Sequence, residues 1–550
     1  MEGIRLSEIG RLGDTMLNKG CFFVARPEVV ILSLLVGITA VPMDGRAAAP
    51  AGVEDRSAAV HRRRRIILND DAGTVLKVDF STPEKFRNHR LVHTLNSNVD
   101  SIWYSLMVGS ENYVYDCKVG QRIGSELYPG AETVKGDVER HKQMAESMNA
   151  LLAVGTDPLR ETVRFAQEHD KEVFASFRMN MIQDSWRPSF VTRWKREHPE
   201  WCLGVREMTD SDRGKPHYMY WSALDYARSE VRDQRVEVIQ DICTRYDVDG
   251  MELDFWRWPM LFKRSLDYQP VEQEEIQMMN NFLRRVRKEM GSIETQRQRP
   301  LLLAVRVFDT MEICLKMGLD VQTWLDQGLI DILVVGGTYN YYSVPTTQWV
   351  ELAHEHDVPL YVCMYRAQSL ERDRAHSAYH LSCGADGTYT FNVFGPEVVP
   401  TLRDVGDLDT LAGKNKHYVM NGTVGGVSFG HVVAPGTVPV GLKHDEWREA
   451  ILLVGDDLQA ETAGSGTARS TLSLALGGYS PDMDAVTVKL NGTQLDNSQW
   501  DEATVSFDVS APPLVAGRNT IELRLEKGDT SAETGVDLKG VELRISFGQD

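Results

Sequence analysis

Between residues 99 and 392 the apolar positions gather into short runs separated by longer amphipathic stretches. Val99–Tyr104 (VDSIWY), Glu172–Asn180 (EVFASFRMN), Ser222–Ala227 (SALDYA), Gly250–Phe255 (GMELDF), Leu301–Val307 (LLLAVRV), Ile332–Gly336 (ILVVG), Leu360–Tyr365 (LYVCMY) and Gly387–Asn392 (GTYTFN) have the length and residue types of strands. Leu159–His169, Glu230–Tyr246, Glu272–Met290 and Thr347–His356 carry helical patterns between them. Eight strands alternating with helices predict an α/β fold, a (β/α)8 barrel of the TIM type. A doubly wound open sheet is the competitor, but no Gly-rich phosphate turn follows any of these strands. Past Asn392 the rhythm stops, and from residue 441 the period becomes two: TLSLALGG, AVTVKLNG, ATVSFDV, NTIELRLEKG, VELRISF. Turn residues such as Asn491-Gly492 separate these runs, which predict a C-terminal antiparallel β-sandwich, jelly-roll-like in form. The expected organisation is a leader over 1–61, a barrel over 62–410, a connector over 411–440 and a sandwich over 441–550.

Composition changes this picture little. The chain has 550 residues, 42% hydrophobic and 25% charged, which is ordinary for a globular protein of more than one domain. A net charge of -19, from 60 basic and 79 acidic residues, disfavours nucleic acid and anionic membrane surfaces as partners. The seven cysteines are dispersed without a CxxC pair, and His93, His198, His354 and His356 lack metal-ligand spacing. No metal or other cofactor is signalled, and no GxSxG elbow occurs. The N-terminus adds one expectation. Val29–Val41 is an apolar run too short to span a bilayer, preceded by Arg26 and followed by Ala47-Ala48-Ala49, as in a secretory signal peptide. Export to the periplasm, cell surface or medium is expected, with translation starting at Met1 or Met16. No later segment is long and apolar enough for a membrane span, and oligomeric state is not encoded in the pattern.

The chemistry concentrates at Asp247–Pro259 (DVDGMELDFWRWP). Side chains two apart on a strand face one way, so Glu252 and Asp254 point together, about 7 Å apart along the chain. Active sites of such barrels lie at the C-terminal strand ends, which here also offer Arg178, Asn180, Asp225, Arg306, Asp309, Tyr339, Asn340, Tyr365 and Asn392. Arg178, Glu252, Asp254 and Arg306 are expected to form a charge-compensated cluster opening into a solvent-filled hollow. Glycoside hydrolysis needs two carboxyl groups across the scissile bond. Asp254 is the expected nucleophile or stabilising carboxylate, with Asp309 or Glu312 as acid/base and Glu252 orienting Asp254 or binding an arginine. Trp256 and Trp258, flanking Arg257, would either stack on sugar rings or pack between loops. Tyr113, Tyr115, Trp186, Trp194 and Trp201, in the long segments after the first and second expected strands, are candidates to wall the cleft.

Arg62–Gly73 (RRRRIILNDDAG), EVFASFRMN, the stretch SALDYARSEVRDQRVEVIQDICTRYDVDGMELDFWRWP and GADGTYTFN (Gly384–Asn392) resemble the glycosyl-hydrolase-like-10 barrels, an exported bacterial family. The resemblance covers about residues 62–410 and implies a TIM-type barrel, glycoside hydrolase activity and a carbohydrate substrate. DVDGMELDFW is also similar to the DGxDxDxE motif of family 18 chitinases, with Asp249, Glu252 and Asp254 at acidic positions. Trp256 stands where that motif has its proton-donating glutamate, which argues against chitinase chemistry. The alternatives are a non-catalytic carbohydrate-binding barrel and a cell-surface scaffold.

Overall fold

The computed structural model describes residues 55–547, apart from 72–77, 127–136, 206–215, 338–341, 366–367, 394, 421–433, 435, 460–467, 481–484 and 528–534. Eight parallel strands close into a barrel. They are β1 (Ile66–Asp70), β2 (Val99–Ser105), β3 (Glu172–Arg178), β4 (Gly250–Asp254), β5 (Leu302–Val307), β6 (Ile332–Val335), β7 (Leu360–Tyr365) and β8 (Gly387–Phe391). The ring closes at β1, where Asn69 stands opposite Trp103 on one side and Phe391 on the other. A helix follows each strand: α1 (Pro83–Arg90), α2 (Pro158–Glu168), α3 (Ser229–Arg245), α4 (Gln273–Arg297), α5 (Val321–Asp326), α6 (Thr346–Glu355), α7 (Leu370–Ser382) and α8 (Val399–Asp404).

Two strand assignments change. Ile66–Asp70 is the first barrel strand, which the adjoining basic run concealed. Ser222–Ala227 is not a barrel strand. Its Leu224 N–H is taken by the Asn180 side chain at 2.7 Å and its Tyr226 N–H by Leu261 O at 2.9 Å, so no ladder forms. Its apolar residues are buried among loops instead. The last residues of the expected leader are ordered against the barrel. Arg56–Val60 is a helix capped by Asp55, and Arg56 reaches Asp331 at 2.7 Å and Glu294.

Alternation along each strand fills the barrel. Ile67, Trp103, Phe174, Ala304, Val334, Cys363, Tyr389 and Phe391 form one buried interior cluster. Trp103 stacks on Phe174 with centroids 4.7 Å apart. Below this layer Arg64 Nε donates to Glu172 at 2.7 Å, so both charges of the pair are buried together.

The C-terminal region is two antiparallel sheets around a second core. Its strands are β9 (Lys416–Met420), β10 (Arg448–Val454), β11 (Arg469–Gly477), β12 (Ala485–Leu490), β13 (Gln499–Asp501), β14 (Thr504–Val509), β15 (Gly517–Lys527) and β16 (Asp537–Ser546). One sheet runs β9-β16-β11-β14-β13, and the other pairs β10, β15 and β12. The period-two runs bury Leu472, Leu474, Leu523, Leu525, Val541 and Leu543 between the sheets. β9 lies inside the expected connector, so 411–440 contributes to the sandwich. The sandwich grips α7: Ala375 and Tyr379 belong to its core, and Gly455 presses on the Ala378–Tyr379 backbone.

Candidate active site

β4 delivers Glu252 and Asp254 into the C-terminal end of the barrel, and both are fully buried. Glu252 Oε1 accepts the Tyr389 hydroxyl at 2.8 Å and Oε2 accepts Asn69 Nδ2 at 3.2 Å. Asn69 Nδ2 also donates to Ser176 Oγ at 3.0 Å. Burial, with Asp254 close by, pushes the Glu252 carboxyl up to about 7. Asp254 Oδ1 accepts the backbone N–H groups of Trp256 and Arg257, each at 3.1 Å, and Oδ2 faces Arg306 Nη1 at 3.4 Å. Burial raises its pKa, against the pull of Arg306 and Arg178.

Arg306, from β5, joins the cluster together. Its Nε donates to Gly336 O at 3.3 Å and its Nη2 to Cys363 Sγ at 3.4 Å. The guanidinium also lies 4.4 Å from the Phe391 ring centroid and 5.2 Å from those of Trp256 and Tyr389. Arg178 pairs with Asp71 at 2.9 Å and lies 5.5 Å from the Phe391 ring.

Asp309 follows β5 and is fully buried. Its Oδ2 accepts the Ser343 hydroxyl and, at 3.1 Å, the Ala434 N–H. Its Oδ1 has no hydrogen-bond partner among the described residues. Burial pushes this carboxyl up to about 7, against the hydrogen bonds from Ser343 and Ala434 and, more weakly, the Arg306 charge. Glu312 goes elsewhere. It is exposed, pairs with Lys316 at 2.7 Å within the helix Met311–Lys316, and is held below the usual carboxylate range by that lysine. It edges a cleft of about 380 Å³ lined by Thr310, Met311, Glu312, Ser343, Pro345, Gln348 and Trp349.

Several other expected ligand residues have structural partners. Asn180 spends its side chain on Leu224 N, Leu224 O and Met260 O, stapling two loops. Asp225 sits in a buried turn, accepts Ala227 N–H at 3.0 Å, and is not on a barrel strand. Trp256 is fully buried between Arg306 and Gly337, which leaves no ring face for a sugar. Trp258 is 4% exposed, meets Trp186 and Tyr220 edge-on, and has Arg257 over its ring at 4.0 Å. Tyr365 stacks on Phe391, and Asn392 takes a left-handed conformation after β8. Tyr339 and Asn340 lie outside the described residues. Tyr113 and Tyr115 are buried, with Tyr115 edge-on to Tyr246 and Tyr113 receiving Gln234 at 3.3 Å, so both pack toward α3. Trp194 and Trp201 pack on each other at 4.9 Å. The expected solvent-filled hollow is not seen among the described residues: Glu252 and Asp254 are fully buried, and the Arg306 guanidinium sits against the rings of Trp256, Tyr389 and Phe391 beside them.

Asn69, Tyr389 and Ser343 were not among the expected residues. Alternation in GTYTFN places Tyr389 on the face of Gly387 and Phe391, a readable signal. Asn69 depended on recognising β1, and Ser343 has no local signal. Among the described residues, no group of three His, Cys, Asp or Glu side chains could hold a metal ion, and no helix is long and apolar enough to cross a membrane.

No family model and no curated protein matches the chain. Solved structures similar to it are glycoside hydrolases. Alpha-L-fucosidase isoenzyme 2 from Paenibacillus thiaminolyticus is 11% identical with a TM-score of 0.41, over 62% of this chain and 48% of that one. This chain thus spans about half of that enzyme's length. The PgaB (BpsB) glycoside hydrolase domain from Bordetella bronchiseptica is 10% identical with a TM-score of 0.39, over 63% and 99%. A GH29 alpha-L-fucosidase from Bacteroides thetaiotaomicron is 9% identical with a TM-score of 0.36, over 88% and 98%. The closed barrel rests on its own strand register.

Proposed function

We propose that this chain is an exported glycoside hydrolase that cleaves O-glycosidic bonds of a poly- or oligosaccharide, with Asp254 and Asp309 as its working carboxyl groups. The observation that carries this reading is that two buried carboxyls sit in contrasting surroundings: Asp254 is bonded through both oxygens, whereas Asp309 keeps one oxygen without a hydrogen-bond partner among the described residues. Asp254 has two N–H donors and an arginine supporting its charge. Asp309, pushed up to about 7, keeps a proton near neutrality, and its Oδ1 is free of other partners among the described residues. Environments that separate two carboxyls in this way divide the roles of base and acid. In the reaction the bond from the anomeric carbon to the bridging oxygen breaks, and Asp309 gives its proton to that oxygen. Asp254 then either bonds the anomeric carbon, to be released by water whose proton returns to Asp309, or itself takes the proton of the attacking water. Glu252, pushed up to about 7, carries less charge beside Asp254 near neutrality than an ordinary glutamate would. The leader Val29–Val41 supports export.

The complete burial of Glu252 and Asp254 favours a second reading, a carbohydrate-binding barrel without turnover. Release of reducing ends from a glycan panel separates the two. Wild type should act on at least one glycan, and Asp254→Asn or Asp309→Asn should slow it by about a thousandfold at a temperature where all three are folded. The rate should fall as pH rises through about 7, as Asp309 loses its proton. Binding of glycans with no release from any of them would establish the second reading.

A further inference from the structure

The cleft beside Asp309 has the size and chemistry of a sugar site. Thr310, Met311 and Glu312 form one wall from the end of β5, and Ser343, Pro345, Gln348 and Trp349 form the other from the entry into α6. Its volume, about 380 Å³, lies in the range of small-ligand sites. Hydroxyl, carboxylate and amide groups are available for ring hydroxyls, while Met311, 41% exposed, and Pro345 offer apolar surface to C–H groups. Glu312, on this rim, is compensated by Lys316 at 2.7 Å, which suits a neutral ligand better than an ion.

One side chain joins the cleft to the buried carboxyl. Ser343 lines the cleft and donates its hydroxyl hydrogen to Asp309 Oδ2, while Oδ1, fully buried, has no partner among the described residues. A serine hydroxyl keeps two lone pairs when it donates. It can therefore accept a hydrogen bond from a ligand in the cleft while still bonded to Asp309. We infer that this cleft is the subsite for the sugar residue on the leaving-group side, a neutral pyranose, and that Ser343 is a positioning residue tying its occupancy to the proton on Asp309. Placement on the leaving side rests on the hydrolase reading; the sugar site itself does not. A sugar hydroxyl donating to Ser343 polarises the serine O–H and strengthens its bond to the carboxylate. Occupancy thereby stabilises the ionised acid and eases the departure of its proton.

The test uses nuclear magnetic resonance on the full chain. The Trp349 indole N–H, which bonds the Asp309 carbonyl at 2.8 Å, is the reporter of binding. The Asp309 carboxyl carbon reports titration. The probes are the methyl glycosides of glucose, galactose, mannose, N-acetylglucosamine and fucose, added singly. At least one should shift the indole resonance saturably, and Gln348→Ala should weaken it by about tenfold, as for one lost hydrogen bond. The bound sugar should lower the Asp309 titration midpoint in wild type and leave it unmoved in Ser343→Ala. No saturable shift with any probe overturns the site, as does binding indifferent to Gln348→Ala. A midpoint that still responds to sugar in Ser343→Ala overturns the serine link. Sugar binding in a protein that hydrolyses no glycan leaves the site standing and removes only the hydrolase reading.

Discussion

At the residue scale, Asp309 and Glu252 make stability depend on pH in a direction opposite to that of most carboxylates. Both are raised by burial, Asp309 from 3.8 and Glu252 from 4.5, each to about 7. Between those limits the folded chain holds protons that the unfolded chain has released, so this contribution is complete below the lower values and disappears as pH rises through about 7. Asparagine copies the neutral form. Calorimetric scans from about pH 5 to about pH 8 should therefore show Asp309→Asn gaining in melting temperature relative to wild type as pH rises. A constant difference would mean that Asp309 is ionised in the folded protein throughout. Arg306→Met removes the partner of Asp254 and leaves a buried charge, and urea denaturation should record a loss of about 3–5 kcal/mol. The inward pairing of Glu252 and Asp254 was readable because a strand alternates with period two. Their burial was not, because Arg306, Tyr389 and Phe391 reach them from other strands.

At the element scale, β4 depends on a close approach that only glycine allows. A Cβ at Gly250 would stand 2.5 Å from Leu302 O and 2.3 Å from the Phe174 ring. Gly250→Ala should destabilise the barrel by about 1–3 kcal/mol, seen as a lower denaturation midpoint with an unchanged slope. A neutral substitution would mean that β4 and β5 can separate locally without penalty. Seven barrel strands were legible as runs of strand-forming residues because those runs are buried on both faces and stay apolar. SALDYA carries the same composition and is a buried turn, since its N–H groups find side-chain and loop acceptors before any ladder. IILND was missed for the converse reason: five residues beside four arginines look like a solvated flank until the ring has to close on them.

At the scale of the whole molecule, barrel and sandwich fall in one compact unit, residues 52–550. Tyr379 and Ala375 of α7 complete the sandwich core, and a Cβ at Gly455 would come within 2.4 Å of the Ala378 and Tyr379 backbone. Wild type should unfold in one transition, and Gly455→Leu should lower the melting temperature of the full chain and split that transition in two. A single transition unmoved by that change would mean that the two parts stabilise each other little. Asp309 itself accepts the N–H of Ala434, which lies beyond the last barrel strand, so the expected acid is held from outside the strands as well. The sequence by itself determined the alternating strands and helices, the change to period two, and the facing of Glu252 and Asp254, because each of these is set by local periodicity. Only the tertiary structure decided that Arg306 reaches Asp254, that Trp256 is a core residue, and that Ser343 stands between a buried acid and a cleft. Those relations join residues far apart in the chain, 52 positions for Asp254 and Arg306 and 34 for Asp309 and Ser343, and ring closure rather than local pattern sets their distances.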